Sequence, residues 1–376
     1  MGNEFMETSS DIMGKTLRVL HVGPGFGQRG GVASVLDELR SAKSSFEERA
    51  VRFDFFETRG FKTVRDRLSF FVLDLPRFFL RVLTDVDVIH FHVSARGSAL
   101  RKLMLYRATR VLGRKVIFHW HSNNLADCIE EQTVWIRSAF LEFIESSSAA
   151  IGVSTEMAAD IRQFRNGADV RVIGNCALRA ERVASLGPAR AMNMRASKPY
   201  IAFSGRFVEE KGLSELFAAI AILKKRQCHV HVKLAGTGNT DAWRGLAAKF
   251  DITDCITFTG WLRGDELMDF YRNAQAFCLP SYREPFGIAT LEAMFCGLAV
   301  IGTRNGGFLD LVKQGETGYL VDPCDADQLA DAIERVCEDS GLAWQMGEAG
   351  RRYGLERYSV ESVCDQYVKC YRELRS

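Results

Sequence analysis

Residues 276–297 read AFCLPSYREPFGIATLEAMFCG. Ala276–Leu279 has the length and composition of a buried strand, Pro280, Pro285 and Gly287 interrupt the chain after it, and an apolar helical pattern spans Ile288–Phe295. Strand, loop and helix in that order are the repeating unit of a parallel sheet covered by helices. Glu284 stands on the loop and Glu292 on the helix, roughly 12 Å apart or less at the rise of an α-helix. That span suits a nucleotide-sugar lying across the helix start, with backbone N–H groups around Phe286, Gly287 and Ile288 turned to its phosphates. Glu284 would then meet sugar hydroxyls and Glu292 the ribose. The bland reading is that Glu292 only caps or solvates its helix.

The same alternation extends outward over the whole chain. In the second half strands are expected at Tyr200–Ser204, His229–Ala235, Ile256–Thr259, Ala276–Leu279, Ala299–Gly302 and Gly318–Val321. In the first half they are expected at Leu17–Val22, Val51–Phe56, Val86–His92, Lys115–His121, Ala149–Val153 and Val170–Ile173. Amphipathic patterns such as Gly31–Arg40, Ala99–Leu112, Leu213–Lys225, Asp265–Asn273 and Asp327–Glu338 fall between them. The reading is therefore α/β, with two Rossmann-like units and a cleft between them. The expected boundaries are 1–178, a polar linker at 179–198, 199–355, and a helical tail at 356–376 that packs back toward the first unit.

Composition narrows the function classes. The chain has 376 residues, enough for two cores, and its 49 Lys and Arg against 47 Asp and Glu leave +2, so nucleic acid is not an expected partner. Ten cysteines without a single CxxC read as reduced core filler of a cytoplasmic protein. The N-terminus lacks the basic start and apolar run of a secretion signal. The most apolar stretch, Ser69–Leu83, is broken by Asp74, Pro76, Arg77 and Arg81, so it is not read as a membrane span.

Ligands of open α/β sheets bind at the carboxyl ends of the strands, so the residues after each strand matter most. Gly23 to Gly31 forms a glycine-rich turn into a helix, where Gly30 and Gly31 would let a diphosphate approach the backbone. Gly25, Gly27 and Gly30 also match GxGxxG, with Asp54 and Glu57 near the place of a ribose-binding acid, which keeps an NAD-dependent oxidoreductase as a rival. Arg206 and Lys211, five residues apart after Tyr200–Ser204, suit a diphosphate, although surface pairing with Glu209 and Glu210 would also account for them.

Taken together, Gly30-Gly31-Val32, Ser204–Gly212 (SGRFVEEKG), Phe258–Leu262 (FTGWL), Leu279–Gly287, Glu292–Gly297, Asn305–Gly307 and Gly315–Leu320 resemble the GT-B retaining glycosyltransferases of family 4. The resemblance covers most of the chain and is most specific from Tyr200 to Val321. It implies a GT-B fold and transfer of a hexose-type sugar, with retention, from a nucleoside diphosphate donor (UDP ahead of GDP). The acceptor it implies is a glycan or lipid-linked oligosaccharide of bacterial surface or exported polysaccharide. It further implies that Arg206 and Lys211 neutralise the leaving diphosphate in place of a metal, that Glu284 faces the donor sugar and that Glu292 holds the ribose. Trp261, Leu262 and Arg263 would lie near the base, and His121, or His119 if the register is shifted by one pair, would touch the sugar or order the reacting groups. Ser122–Asn124 follow that histidine, where the family often has Gly or Asp. No cofactor and no metal are expected, and a non-catalytic nucleotide-sugar binder of the same fold is a further rival.

Three HxH pairs stand out: His90/His92, His119/His121 and His229/His231. Residues two apart share a strand face, so each pair presents two imidazoles together. The first two are expected at strand ends; with no carboxylate or cysteine spacing beside them, zinc is not expected. The third is expected to begin a strand, exposed. Asp85/Asp87 precede a strand and Asp325/Asp327 open a helix, so neither DxD string is read as a metal site. Phe70, Phe71, Phe78 and Phe79 alternate with Arg65, Arg67, Arg77 and Arg81. This segment is either a helix with a buried aromatic face or a peripheral contact with an anionic membrane at the inner face of the cytoplasmic membrane.

Overall fold

The computed structural model describes residues 16–25, 31–58, 63–84, 86–94, 97–122, 124–166, 169–187 and 199–375. The chain divides into two compact units. The first comprises 1–153, 157–173 and 363–376, and the second 154–156 and 174–362.

The first unit holds a parallel sheet of β1 (Leu17–Pro24), β2 (Val51–Thr58), β3 (Val88–Val93), β4 (Lys115–Trp120), β5 (Ala149–Gly152) and β6 (Val170–Val172), in the order β2-β1-β3-β4-β5-β6. The second holds β7 (Ile201–Phe207), β8 (Val232–Gly238), β9 (Ile256–Gly260), β10 (Ala276–Leu279), β11 (Ala299–Thr303) and β12 (Gly318–Val321), in the order β12-β11-β10-β7-β8-β9. β3, β5, β10 and β11 are buried at every position, as strands covered on both faces must be. In each sheet the chain grows one way from its first strand and then returns to build the other side. The order reverses between β1 and β3, and again between β10 and β7. Loops leaving the sheet on either side of such a reversal splay apart and open a crevice for a ligand.

Several expected elements move. β8 begins at Val232, three residues after His229, so the third histidine pair precedes the strand; His231 instead bonds Thr257 Oγ1 through Nε2 at 2.8 Å. The expected linker contains a helix, Ala180–Ser185, anchored by the buried Val183, while residues 188–198 lie outside the described residues. The tail is two helices, Ser340–Tyr358 and Val360–Arg375. Ser359 is extended between them, and its Oγ accepts from the Ser362 N–H at 3.2 Å, the bond that starts a new helix rather than continuing the old one.

Segment 64–83 is not one helix. Val64–Ser69 opens with a reciprocal cap between Thr63 and Asp66, a π-helical turn spans Phe70–Asp74, and Leu75–Leu83 follows. Pro76 near the start of the last helix has no N–H and crowds the carbonyl of Val72, and the wider turn ahead of it relieves both conflicts. Phe70, Phe78 and Val82 are buried, while Leu68, Phe71, Val72, Leu80 and Leu83 are each at least half exposed.

Candidate active site

In the second unit the reversal between β7 and β10 brings together the residues that the sequence sets 73 positions apart. Arg206 lies within β7 rather than after it, exposed, and its guanidinium has no hydrogen bond or ion pair among the described residues. Lys211 ends a short 3₁₀ turn, Glu209–Lys211. Its Nζ donates to Glu284 Oε2 at 2.6 Å, with the two side chains 19% and 10% exposed. Glu209 and Glu210 do not pair with these cations. Glu209 instead accepts from the Tyr282 hydroxyl at 3.1 Å, which Glu215 also contacts at 2.9 Å. Gly212 permits this packing: its φ is +69°, and a Cβ there would fall 1.9 Å from the Pro280 carbonyl oxygen.

Glu284 is fixed from several sides. Its N–H donates to Asn305 Oδ1 at 3.2 Å, and its carbonyl accepts from the Gly307 N–H at 2.8 Å. Asn305 Nδ2 and Thr303 Oγ1 both donate to the Ser281 carbonyl. The loop after β10 is thus laced to the loop after β11. Gly306 sits at φ +51°, and a Cβ there would fall only 2.0 Å from the Glu284 carbonyl oxygen, so this contact requires glycine. Its N–H donates to Glu156 Oε2 at 2.6 Å.

Gly287 precedes helix Ile288–Phe295, whose first-turn amides have no intrahelical acceptor. Beside it the Thr290 hydroxyl is fully buried, with no partner among the described residues. Phe286 turns its ring inward against Tyr358, 5.4 Å between centroids, so only its backbone is available to a ligand. Glu292 is half-buried, and its Oε2 accepts from the Tyr271 hydroxyl at 3.3 Å. Tyr271 is wholly buried, and that burial, reinforced by the nearby carboxylate, holds its hydroxyl well above the usual tyrosine range. Its proton therefore stays available to orient Glu292. After β9, Trp261 is 47% exposed, Leu262 half-buried and Arg263 exposed.

In the first unit the corresponding reversal carries histidines. His21 of β1 lies opposite His90 of β3, and His92 opposite His119 of β4. His121 follows β4 and is 8% exposed; the other four are fully buried. Nitrogens of neighbouring rings pair along the set: His121 Nε2 with His92 Nδ1 and His92 Nε2 with His21 Nδ1, both at 2.9 Å. Tyr371 Oη lies 3.3 Å from His21 Nε2 and 2.8 Å from His90 Nδ1, and His90 Nε2 lies 3.0 Å from His119 Nδ1. Burial lowers His21 and His121 to about 3 and the others well below their ordinary value, so all five are neutral. Lys102, also buried, is lowered to about 7 by burial and then by Arg101, and its charge acts on His121. Gly31 opens helix Gly31–Ser41, exposed; Gly30 lies outside the described residues, as does Gly27 of the dinucleotide-like pattern. Asp54, the acid of that pattern, forms an ion pair with Arg81.

The DxD strings have structural duties. Asp325 caps helix Ala326–Glu338 by accepting from the Gln328 N–H, and Asp87 accepts from the Arg18 N–H, both at 2.8 Å; Asp85 lies outside the described residues. Sequence reading missed His21, Tyr371, Lys102, Tyr271, Thr290 and Asn305. Of these, Thr290 and Asn305 stand inside quoted stretches.

Residues 190–353 match the family described as glycosyl transferases group 1. An uncharacterized glycosyltransferase of Bacillus subtilis, YqgM, is 30% identical over 61% of this chain and 63% of its own length. The lipopolysaccharide core biosynthesis glycosyltransferase LpsE of Rhizobium meliloti is 31% identical over 54% of this chain and 57% of its own. The chain thus spans about three-fifths of the length of these two curated relatives. The structure of Anabaena HepE in complex with UDP-glucose superposes with a TM-score of 0.68 over 94% of this chain and 99% of that one, at 18% identity. The fold is therefore GT-B. Within it, the match to the glycosyl transferases group 1 model falls on the second unit.

Proposed function

We propose that the chain is a retaining, metal-independent glycosyltransferase that moves a hexose-type sugar from a nucleoside diphosphate, UDP ahead of GDP, to an acceptor glycan or lipid-linked oligosaccharide. The observation that carries the proposal is the Lys211–Glu284 pair at the β7/β10 reversal, with Arg206 on β7 exposed and unpaired among the described residues. Support for a UDP donor comes from HepE, which binds UDP-glucose. LpsE, named for lipopolysaccharide core biosynthesis, supports an acceptor in bacterial surface or exported polysaccharide.

In this reading Arg206 and Lys211 take the charge that develops on the departing diphosphate, aided by the amides around Phe286, Gly287 and Ile288 and by the Thr290 hydroxyl. Lys211 leaves Glu284 as it turns to the phosphates, and Glu284 is released to the sugar hydroxyls. Glu292 accepts from the ribose, and Trp261, Leu262 and Arg263 flank the base. His121 serves the transfer step, and Gly30 and Gly31 admit the phosphates. The protein works in the cytoplasm, with segment 64–83 docking on an anionic membrane; among the described residues no helix is long and apolar enough to cross one.

The test incubates the purified chain with UDP-glucose and related donors and a lipid-linked oligosaccharide acceptor, and follows nucleotide release and the anomeric configuration of the new glycoside by NMR. The expected result is a product of the donor's configuration at a rate unchanged by EDTA. Inversion, or full loss in EDTA restored by Mn or Mg, would overturn the retaining or the metal-independent assignment respectively.

A further inference from the structure

The five histidines and Tyr371 of the first unit form one unbranched series of hydrogen bonds, and the chemistry of imidazole constrains how it is protonated. A neutral imidazole has one N–H and one lone pair, so each nitrogen–nitrogen contact needs a donor on one side and an acceptor on the other. The Tyr371 hydroxyl, which donates once and accepts, passes the same direction from one half of the series to the other. Only two patterns satisfy all five contacts and also place the buried Tyr371 proton in one of them. In one, every ring donates away from His121, whose Nδ1 keeps its lone pair while His119 Nε2 carries the terminal proton. In the other every bond is reversed. Changing one ring alone breaks a buried hydrogen bond, so the tautomers change together or not at all.

The two nitrogens left over, His121 Nδ1 and His119 Nε2, are buried and have no partner among the described residues. His21, His90 and His92, and likewise His92, His119 and His121, bring one nitrogen each within 4.8 Å, a spacing that also suits a metal ion. Three observations favour the neutral series. The nitrogens already pair with one another, no carboxylate bonds to any of the six groups among the described residues, and the nearby Lys102 adds positive charge.

We propose that His21, His90, His92, His119 and Tyr371 are positioning residues for His121, holding it neutral and in a single tautomer so that its Nδ1 presents one fixed hydrogen-bonding character. The proposal rests on the assignment of His121 to the transfer step. Tyr371, on helix Val360–Arg375, is the joint between the halves. Tyr371→Phe keeps the ring stacked on Tyr367 and removes only the hydroxyl.

The experiment records two-bond ¹⁵N–¹H spectra of the histidine rings in the full chain at pH 7 and pH 6, with elemental analysis of the same sample. At pH 6 a free imidazole, with a pKa of about 6.5, is mostly charged. The five rings are expected to be neutral and each a single tautomer at both pH values, with no stoichiometric metal. In Tyr371→Phe, His121 is expected to populate both tautomers, and kcat to fall about tenfold with the donor KM within about twofold. Protonated or averaging rings in the wild type, stoichiometric metal, or an unchanged His121 signal in the variant would overturn the proposal. If Tyr371→Phe does not fold, the wild-type spectra decide alone. If the wild type transfers no sugar, the glycosyltransferase reading fails while the ring signals still test the series.

Discussion

Lys211 Nζ lies 2.6 Å from Glu284 Oε2 with little solvent around either, whereas Arg206, five residues away in the chain, is exposed and unpaired among the described residues. The two cations should therefore separate stability from function. Lys211→Ala strands a largely buried carboxylate. It is expected to cost about 2 kcal/mol, below the roughly 3–5 of a fully buried pair because Lys211 keeps some solvent. Arg206→Ala should leave urea-induced unfolding unchanged within about 0.5 kcal/mol. Both variants should lower kcat by about a hundredfold or more, since each removes charge from the leaving diphosphate. Equal destabilisation by the two, or an active Arg206→Ala enzyme, would contradict these assignments. The charged residues of this site were legible because they lie at the end of, or shortly after, strands whose apolar runs are unmistakable. Their pairing was not. Glu209 and Glu210 are nearer to Lys211 in the chain than Glu284 is, and only the adjacency of β7 and β10 settles which carboxylate it meets.

Elements were readable where periodicity is strong and blurred where special backbone intervenes. Ala276–Leu279, Gly318–Val321, Leu213–Lys225 and Ile288–Phe295 lie where the pattern puts them. The π turn at Phe70–Asp74 and the break at Ser359 leave no hydrophobic signature, because apolar residues continue through both. The histidines show the same limit. HxH pairs are visible as pairs, but His21 is the single histidine of its strand, and Tyr371 reaches His90 across 281 residues. The helices on either side of the π turn, and the turn itself, expose Val64, Leu68, Val72 and Leu80 at 60–77%. With arginines in the same segment, this surface has the composition of an interfacial membrane contact. The protein is expected to pellet with liposomes containing anionic lipid at low salt and to be released by high salt. Replacing Val72 and Leu80 by Glu should abolish pelleting without loss of fold; binding that survives those changes would assign the contact elsewhere.

At the scale of the whole molecule, the two units put different chemistry at the same topological point: neutral imidazoles where β1 and β3 part, charged side chains where β7 and β10 part. The first unit should consequently be the acid-sensitive one. Burial lowers His21 and His121 to about 3 in the folded state, so between the ordinary value near 6.5 and that value the unfolded chain binds more protons. The stability these groups contribute is intact above about pH 6.5 and is lost as pH falls toward 3, each histidine removing about 1.4 kcal/mol per pH unit in that window. Urea unfolding followed through the buried Trp120 should show a steep loss between pH 7 and pH 5, and a flat profile there would mean the rings are charged when folded. The central claim, a nucleoside diphosphate sugar held by the second unit, is tested most directly by thermal denaturation of the purified protein with UDP, GDP, ADP, their sugar conjugates and NADH. Only a ligand of the folded state raises the midpoint. A rise is expected with one nucleoside diphosphate and its sugar conjugate, and it should disappear in Arg206→Ala and Glu292→Ala. A rise with NADH alone, or one untouched by those two substitutions, would contradict it.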